Sequence, residues 1–252
     1  MIAKKLLYVT NLETPNADVL KGLLNIRELG IEEVTLTSPT PLEELKENLS
    51  SYGITLKTLV KKRLVVPDIL STIKKEEITL IVAHLDRTSR KPLRGSIAKS
   101  LIKKSFIPVL IVNQGKENKE IANGEIFKHV VFATNWSPES EMALNFLLNI
   151  KESIKELEIV NVISKKLTIR DIRNLKEKLI ETRKTCLDQG IDAEFHIYAG
   201  KTSEEIITAA SDYKATAIVM GTRHKPTISE LFLGNSSTQV AEVAPIYTLV
   251  IP

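Results

Sequence analysis

The stretch HVVFATNWSPESEMALNFLLNI, His129 to Ile150, carries the architecture in miniature. Val130–Thr134 is a continuous apolar run, the pattern of a strand buried on both faces. Ser137 offers a hydroxyl for an N-cap, and Pro138 suits the first helical position, where its missing N–H costs nothing. Met142, Leu144, Phe146, Leu147 and Ile150 then recur at helical spacing. Strand, cap and helix in this order predict one βα unit of a parallel sheet.

Reading downstream, Leu157–Ile163 predicts a second strand, and Ile169–Leu187 a long charged helix stopped by Gly190. Asp192–Tyr198 alternates as a third strand. Thr202 reads as the cap of a helix through Asp212, with Glu205 completing a capping box. Ala217–Gly221 predicts the fourth strand, Asn235–Ala244 a helix, and Thr248–Ile251 the last strand. The order βαβαβαβαβ predicts a doubly wound parallel sheet, because parallel neighbours need crossovers.

Upstream, the same features return. Leu-Leu-Asn-Ile stands at Leu23–Ile26 and again at Leu147–Ile150. LLYVTN, ending at Asn11, matches HVVFATN, ending at Asn135, and Ile78–His84 matches Ala215–Thr222. LRGSIAKSLIKKSFIPVLIV answers LGNSSTQVAEVAPIYTLVI, with Gly95 opposite Gly234. Four matches in one order predict a tandem duplication. The polar stretch Gln114–Glu125 reads as a linker, giving domains over residues 1–114 and 126–252.

Composition narrows the function. With 252 residues, 43% hydrophobic and 26% charged, the chain has material for substantial cores and does not read as disordered or fibrous. Aromatics at 5% argue against a surface for stacking single-stranded bases. Residues 1–126 hold 20 lysines and arginines against 15 acids, while 127–252 hold 15 against 16, so no uniform basic coat for nucleic acid is present. The single cysteine, Cys186, makes neither an internal disulfide nor a thiolate metal site alone. It reads as packing or surface. The start of the chain shows no signal-peptide pattern, and no apolar run reaches the roughly 20 residues that span a bilayer. A cytoplasmic protein without membrane partners is the expectation.

In doubly wound sheets ligands bind outside the carboxyl ends of the strands, near the switch in strand order. That directs attention to Asn135, Val162–Ile163 and Gly221 in the second copy, and to Asn11, Ser38–Pro39 and Ala83 in the first. After the fourth strand comes VMGTRHKPTISELFLGNSS, Val219 to Ser237. Glycines let backbone approach closely and let successive N–H groups form a nest for phosphate oxygens. A helix starting near Asn235 adds free N–H groups and a dipole worth about 0.3–1 kcal/mol.

These residues resemble the universal stress protein family, in a tandem form, over nearly the whole chain. The family's nucleotide-binding loop has a glycine, two residues, a second glycine, nine residues, a third glycine and then Ser or Thr. Gly221 and Gly234 hold the first and third glycine positions, while His224 replaces the second and Asn235 replaces the Ser or Thr. The resemblance implies two domains of the adenine-nucleotide alpha-hydrolase-like fold. It also implies ATP or AMP, with Mg2+, bound in the second domain by Asn135, Val162, Gly221, His224, Gly234, Asn235 and Ser236. Asn135 stands where the family has an Asp that holds the nucleoside, and Val162 where a backbone group contacts adenine. By the same resemblance the first copy is degenerate: Asn11 replaces the Asp, Pro39 has no N–H to offer, and Ala83 and Asp86 replace two glycines. The last strands, Thr248–Ile251 and Val109–Val112, are expected to pair as an intrachain pseudo-dimer, with a homodimer of chains a further expectation.

Three functions follow as expectations. One is a nucleotide-responsive regulator that binds without efficient turnover. Another is a nucleotide-free interaction module with an unidentified protein partner. The third is a slow ATPase, disfavoured because no general base or metal-binding carboxylate stands at the loop. Residues 87–104 carry seven positive charges and no acid, which reads as a solvated face or an anion site. His129 and His196 lie in strands and read as structural, without metal-ligand spacing. Trp136 reads as covering either the pocket mouth or the first helix.

Overall fold

The structure, a computed structural model, describes residues 3–9, 17–38, 50, 53–60, 65–85, 97–113, 125–222 and 236–252. The chain forms two compact units, Met1–Glu125 with Pro252, and Ile126–Ile251. Each is an α/β unit built on five strands.

In the first unit β1 (Lys5–Val9), β2 (Glu33–Ser38), β3 (Thr55–Val60), β4 (Leu80–Leu85) and β5 (Val109–Asn113) alternate with α1 (Ala17–Leu24), α2 (Val66–Lys75) and α3 (Ile97–Lys104). The strands lie in the order β3-β2-β1-β4-β5, all parallel. Leu6, Leu7 and Tyr8 of β1 are fully buried, as a central strand covered on both faces requires.

The second unit repeats the plan. It comprises β6 (His129–Ala133), α4 (Pro138–Asn149), β7 (Glu156–Ile163), α5 (Ile169–Asp188), β8 (Ala193–Ala199), α6 (Thr202–Asp212), β9 (Ala217–Gly221), α7 (Ser236–Val243) and β10 (Tyr247–Ile251). The order β10-β9-β6-β7-β8 is again parallel. The chain runs outward from β6 to β8, then returns to place β9 on the other side of β6. The strand order therefore switches between β6 and β9. Val131, Val160, Ile218 and Met220 pack on Ile206, Ala209 and Ala210 of α6 and Val240 of α7.

Local chemistry sets the helix starts. Ser137 Oγ accepts a bond from Ser140 N at 3.3 Å, with Pro138 following it, as its side chain predicts. Ser137→Ala is expected to lower the stability of the second unit by about 1 kcal/mol. Thermal melting should read this as a fall of about 2–4 °C. Thr168 caps α5 in a capping box with Asp171 that the sequence reading missed. The expected capping box at Thr202 is corrected. Lys201 is the N-cap and makes no side-chain cap bond, and Thr202 is already helical. The Glu205 side chain instead folds over Gly200, where an added Cβ would meet Glu205 Oε1 at 2.4 Å.

The parallel register also corrects one match between the copies. Val9 pairs with Ala83 in β4, whereas its counterpart Ala133 pairs with Met220 in β9. His84, not Ala83, therefore occupies in the first unit the place of Gly221. The imidazole Nε2 of His84 hydrogen-bonds the fully buried Tyr8 hydroxyl. Repeat matching from composition slips easily by one residue within an apolar strand, and backbone pairing does not.

Candidate functional site

A cavity of about 340 Å3 opens in the second unit at the carboxyl ends of β6, β7 and β9. This is where a doubly wound sheet presents its ligand site. Asn135, Val162, Gly221 and Ser236 all line it. His224, Gly234 and Asn235 lie outside the described residues, as do Asn11, Pro39, Asp86 and Gly95 of the first copy.

Each wall has a local cause. β6 ends at Ala133, and Asn135 then turns the chain into α4. Its Oδ1 accepts from Ser137 N at 3.1 Å and from Ser140 Oγ at 2.9 Å. The side-chain acceptor is thus engaged in shaping the turn, and among the described residues the Asn135 amide NH2 has no partner. Next to it, Asn161 Nδ2 donates to Thr134 O at 2.7 Å, closing off the end of β6.

Val162 owes its orientation to register. Thr134 N donates to Val160 O, and Gly200 N donates to Ile163 O. Alternate residues of β7 therefore face β6 and β8 in turn. The N–H and C=O of Val162 face the β6 side, past the point where β6 has ended. They stand at the cavity wall, together with the apolar surface of Val160, Ile206 and Met220.

Gly221 forms a close contact of a different kind from the one its motif suggests. A Cβ there would lie 2.5 Å from Glu139 C and 2.6 Å from Ser140 N. The glycine lets the first turn of α4 rest on the end of β9. Beyond it, Thr222 N donates to Ile251 O, and Ser237 Oγ donates to Thr222 Oγ1 at 2.7 Å. Ser203 of α6 donates to Gln239 of α7 at 2.8 Å, so the two helix starts that flank the cavity are braced together.

The polar side chains of the described lining are uncharged serines, threonines and asparagines, with no carboxylate, imidazole or ammonium among those residues. Such groups hydrogen-bond sugar hydroxyls, base edges and phosphate oxygens, and none is a strong general base. The sequence reading did not single out Asn161, Ser140 or Ser164 as site residues. The lone amide in the apolar run ELEIVNVI was the available signal for the first of these.

The sequence model of the universal stress protein family matches residues 126–252, half of the chain and the whole of the unit that holds this cavity.

The chain belongs to the universal stress protein family.

Solved structures extend the fold likeness over both units. A universal stress protein from Archaeoglobus fulgidus DSM 4304 has 20% identity and a TM-score of 0.75, with 99% of this chain and 96% of that one covered. A protein of unknown function from Pseudomonas aeruginosa PAO1 has 14% identity and a TM-score of 0.69 over 99% and 92%. A universal stress protein from Archaeoglobus fulgidus, solved in complex with dAMP, covers 50% of this chain and 99% of its own, with 20% identity and a TM-score of 0.41. No curated protein matched the sequence. The fold is the tandem form of the family's α/β architecture, as the internal repeat predicted.

Other residues in this universal stress protein have structural roles. Trp136 packs on α5. Its Nε1 donates to Thr182 Oγ1 at 3.1 Å, and Lys178 Nζ lies 5.4 Å from the ring centroid. Cys186 is fully buried in α5, and burial pushes its thiol up to about 11, which leaves it unreactive. Of the basic segment, Lys103 and Lys104 are exposed on α3, while Arg87, Arg90, Lys91 and Arg94 lie outside the described residues. No described helix is long and apolar enough to cross a membrane.

Proposed function

We propose that the second unit of this universal stress protein binds an adenine nucleotide in the cavity at the β6–β9 switch, as a regulator that does not turn it over efficiently. The observation that carries the reading is Val162, whose backbone N–H and C=O face the cavity beside an apolar wall, beyond the last β6–β7 pair and with no partner among the described residues. A base edge needs one donor and one acceptor at fixed spacing, and a strand end supplies both without side-chain entropy. The hydroxyls of Thr202, Ser236 and Ser237 border the same space. The volume of about 340 Å3 is within the range of small-molecule sites. AMP is the simplest ligand. Mg2+ would accompany ATP through its phosphates, since no described lining residue is a carboxylate.

One observation favours the second reading, a nucleotide-free interaction module: the Asn135 carbonyl is spent on Ser137 and Ser140. Calorimetric titration of the nucleotide-stripped full chain with AMP, and with ATP and Mg2+, separates them. One site per chain is expected. Ser164→Phe, at an exposed lining position, should weaken it at least tenfold, about 1.4 kcal/mol. No heat at millimolar nucleotide would leave the interaction module standing. Steady release of inorganic phosphate from ATP would replace the regulator with a hydrolase.

A further inference from the structure

At the other end of the second unit's sheet, four ionisable side chains from three strands meet. His129 opens β6, Glu156 and Glu158 alternate along β7, and His196 lies on β8. The register His129↔Glu156, Val131↔Glu158 and Glu158↔Glu194 puts all of them on one face of the sheet, the face covered by α6. His129 Nε2 lies 3.0 Å from Glu158 Oε1, and His129 Nδ1 lies 3.5 Å from Glu156 Oε2. His196 Nε2 lies 2.6 Å from Glu158 Oε2. The other nitrogen of that ring, Nδ1, lies 2.9 Å from the Tyr213 hydroxyl at the end of α6, and the two rings stack at 4.3 Å.

Glu158 is buried, and a buried carboxylate requires compensation. Among the described residues neither Glu156 nor Glu158 has a lysine or arginine partner, and the groups that face the buried carboxylate of Glu158 are two imidazoles, so no fixed positive charge stands against it. A divalent cation supplies what is missing. We infer that His129, Glu156 and Glu158 form a binding site for a zinc-class divalent cation, with His196 and Tyr213 as positioning residues.

The donor set fits that class. One imidazole nitrogen and two carboxylate oxygens suit zinc, with a fourth position open to water. One ligand atom from each of the three residues lies within 4.8 Å of the others. Tetrahedral ligands about 2.1 Å from zinc stand roughly 3.4 Å apart, so the side chains close in by about an ångström. Glu156, 58% exposed, has the freedom to do so and leaves a path from solvent. Tyr213 bonds His196, which holds Glu158, the outer-shell pattern that fixes a metal-binding carboxylate. The site is separate from the cavity. His129 and Asn135 bracket β6, about 20 Å apart along an extended strand.

Equilibrium dialysis of the chelator-treated full chain against Zn2+ tests the inference, with Co2+ as a spectroscopic stand-in. One zinc per chain is expected, together with the visible bands of four-coordinate cobalt. Glu156→Gln, at an exposed position, and His129→Gln should each weaken zinc binding at least tenfold. Tyr213→Phe should weaken it about tenfold while one zinc per chain still binds at saturation, as for an outer-shell partner. Should His129→Gln fail to fold, Glu156→Gln alone decides. No bound zinc in the parent chain, or binding unchanged in Glu156→Gln, overturns the site.

Discussion

Gly221→Ala is expected to lower the melting temperature of the second unit by about 10 °C, the largest stability effect of any single methyl group we can place. The added Cβ would meet Glu139 C at 2.5 Å, Ser140 N at 2.6 Å and Glu139 O at 2.8 Å. These are backbone atoms, so no side chain can rotate away. Nor can α4 retreat freely, because Ser140 is held by Ser137 and by Asn135. Overpacking of this kind costs about 3 kcal/mol. That converts to roughly 10 °C for a unit of this size. Gly190→Ala serves as the comparison. Its φ of 86° strains any side chain, but nothing lies within 4 Å of the new Cβ. It should cost only about 1 kcal/mol. Calorimetric melts of both variants check the pair. Equal, small shifts would mean that β9 and α4 are not in the close contact described. Because Ser140 and Gly221 also line the cavity, any nucleotide affinity should fall in Gly221→Ala and persist in Gly190→Ala.

The first unit is expected to lose about 2 kcal/mol of stability between pH 7.5 and pH 5 through His84 alone. Burial holds this imidazole at about 4, against an ordinary value of 6.5. Among the described residues its buried Nδ1 has no partner, and its Nε2 meets the Tyr8 hydroxyl. A lowered folded-state value means that the unfolded chain binds the proton more tightly. Stability is therefore full above about pH 6.5, falls as the pH drops, and levels off below about pH 4. The gap of 2.5 units corresponds to about 3 kcal/mol at the plateau. Carboxylates elsewhere also respond to acid, so the test is a difference. Urea denaturation at pH 7.5 and pH 5 should show the parent chain losing about 2 kcal/mol more than His84→Gln. Parallel losses in the two chains would remove His84 as the cause.

The fold was legible because apolar runs and helical spacing fail together rarely. Val130–Thr134, Ser137 and Pro138 led to β6, the cap and α4 within one residue. Ala217–Gly221 matched β9 at both ends. Polar signals read less well, because a hydroxyl at a helix start has several available partners. Thr202 has the side chain of a cap but sits inside the helix, while Thr168, with an Asp rather than the usual Glu three residues on, forms the capping box. The cavity's Asn135, Val162, Gly221 and Ser236 were reached from strand ends and from the family's loop. The contact that explains Gly221 was out of reach, since it depends on where α4 rests. The cluster around Glu158 was hidden for a related reason. His129, Glu158 and His196 are 29 and 38 residues apart and share no motif. Only parallel register aligns them, and a one-residue slip would put them on opposite faces.

Trp136 is the protein's single tryptophan, and it belongs to the second unit. Its indole is tied to Thr182 of α5, with a lysine ammonium above the ring. Emission excited at the red edge of protein absorption therefore comes from one half of the molecule only. Circular dichroism in the peptide band sums both halves. Overlaying the two melting curves turns a single side chain into a measure of cooperativity: coincident curves mean that the duplicated units melt as one, and separated curves assign each transition to its own half.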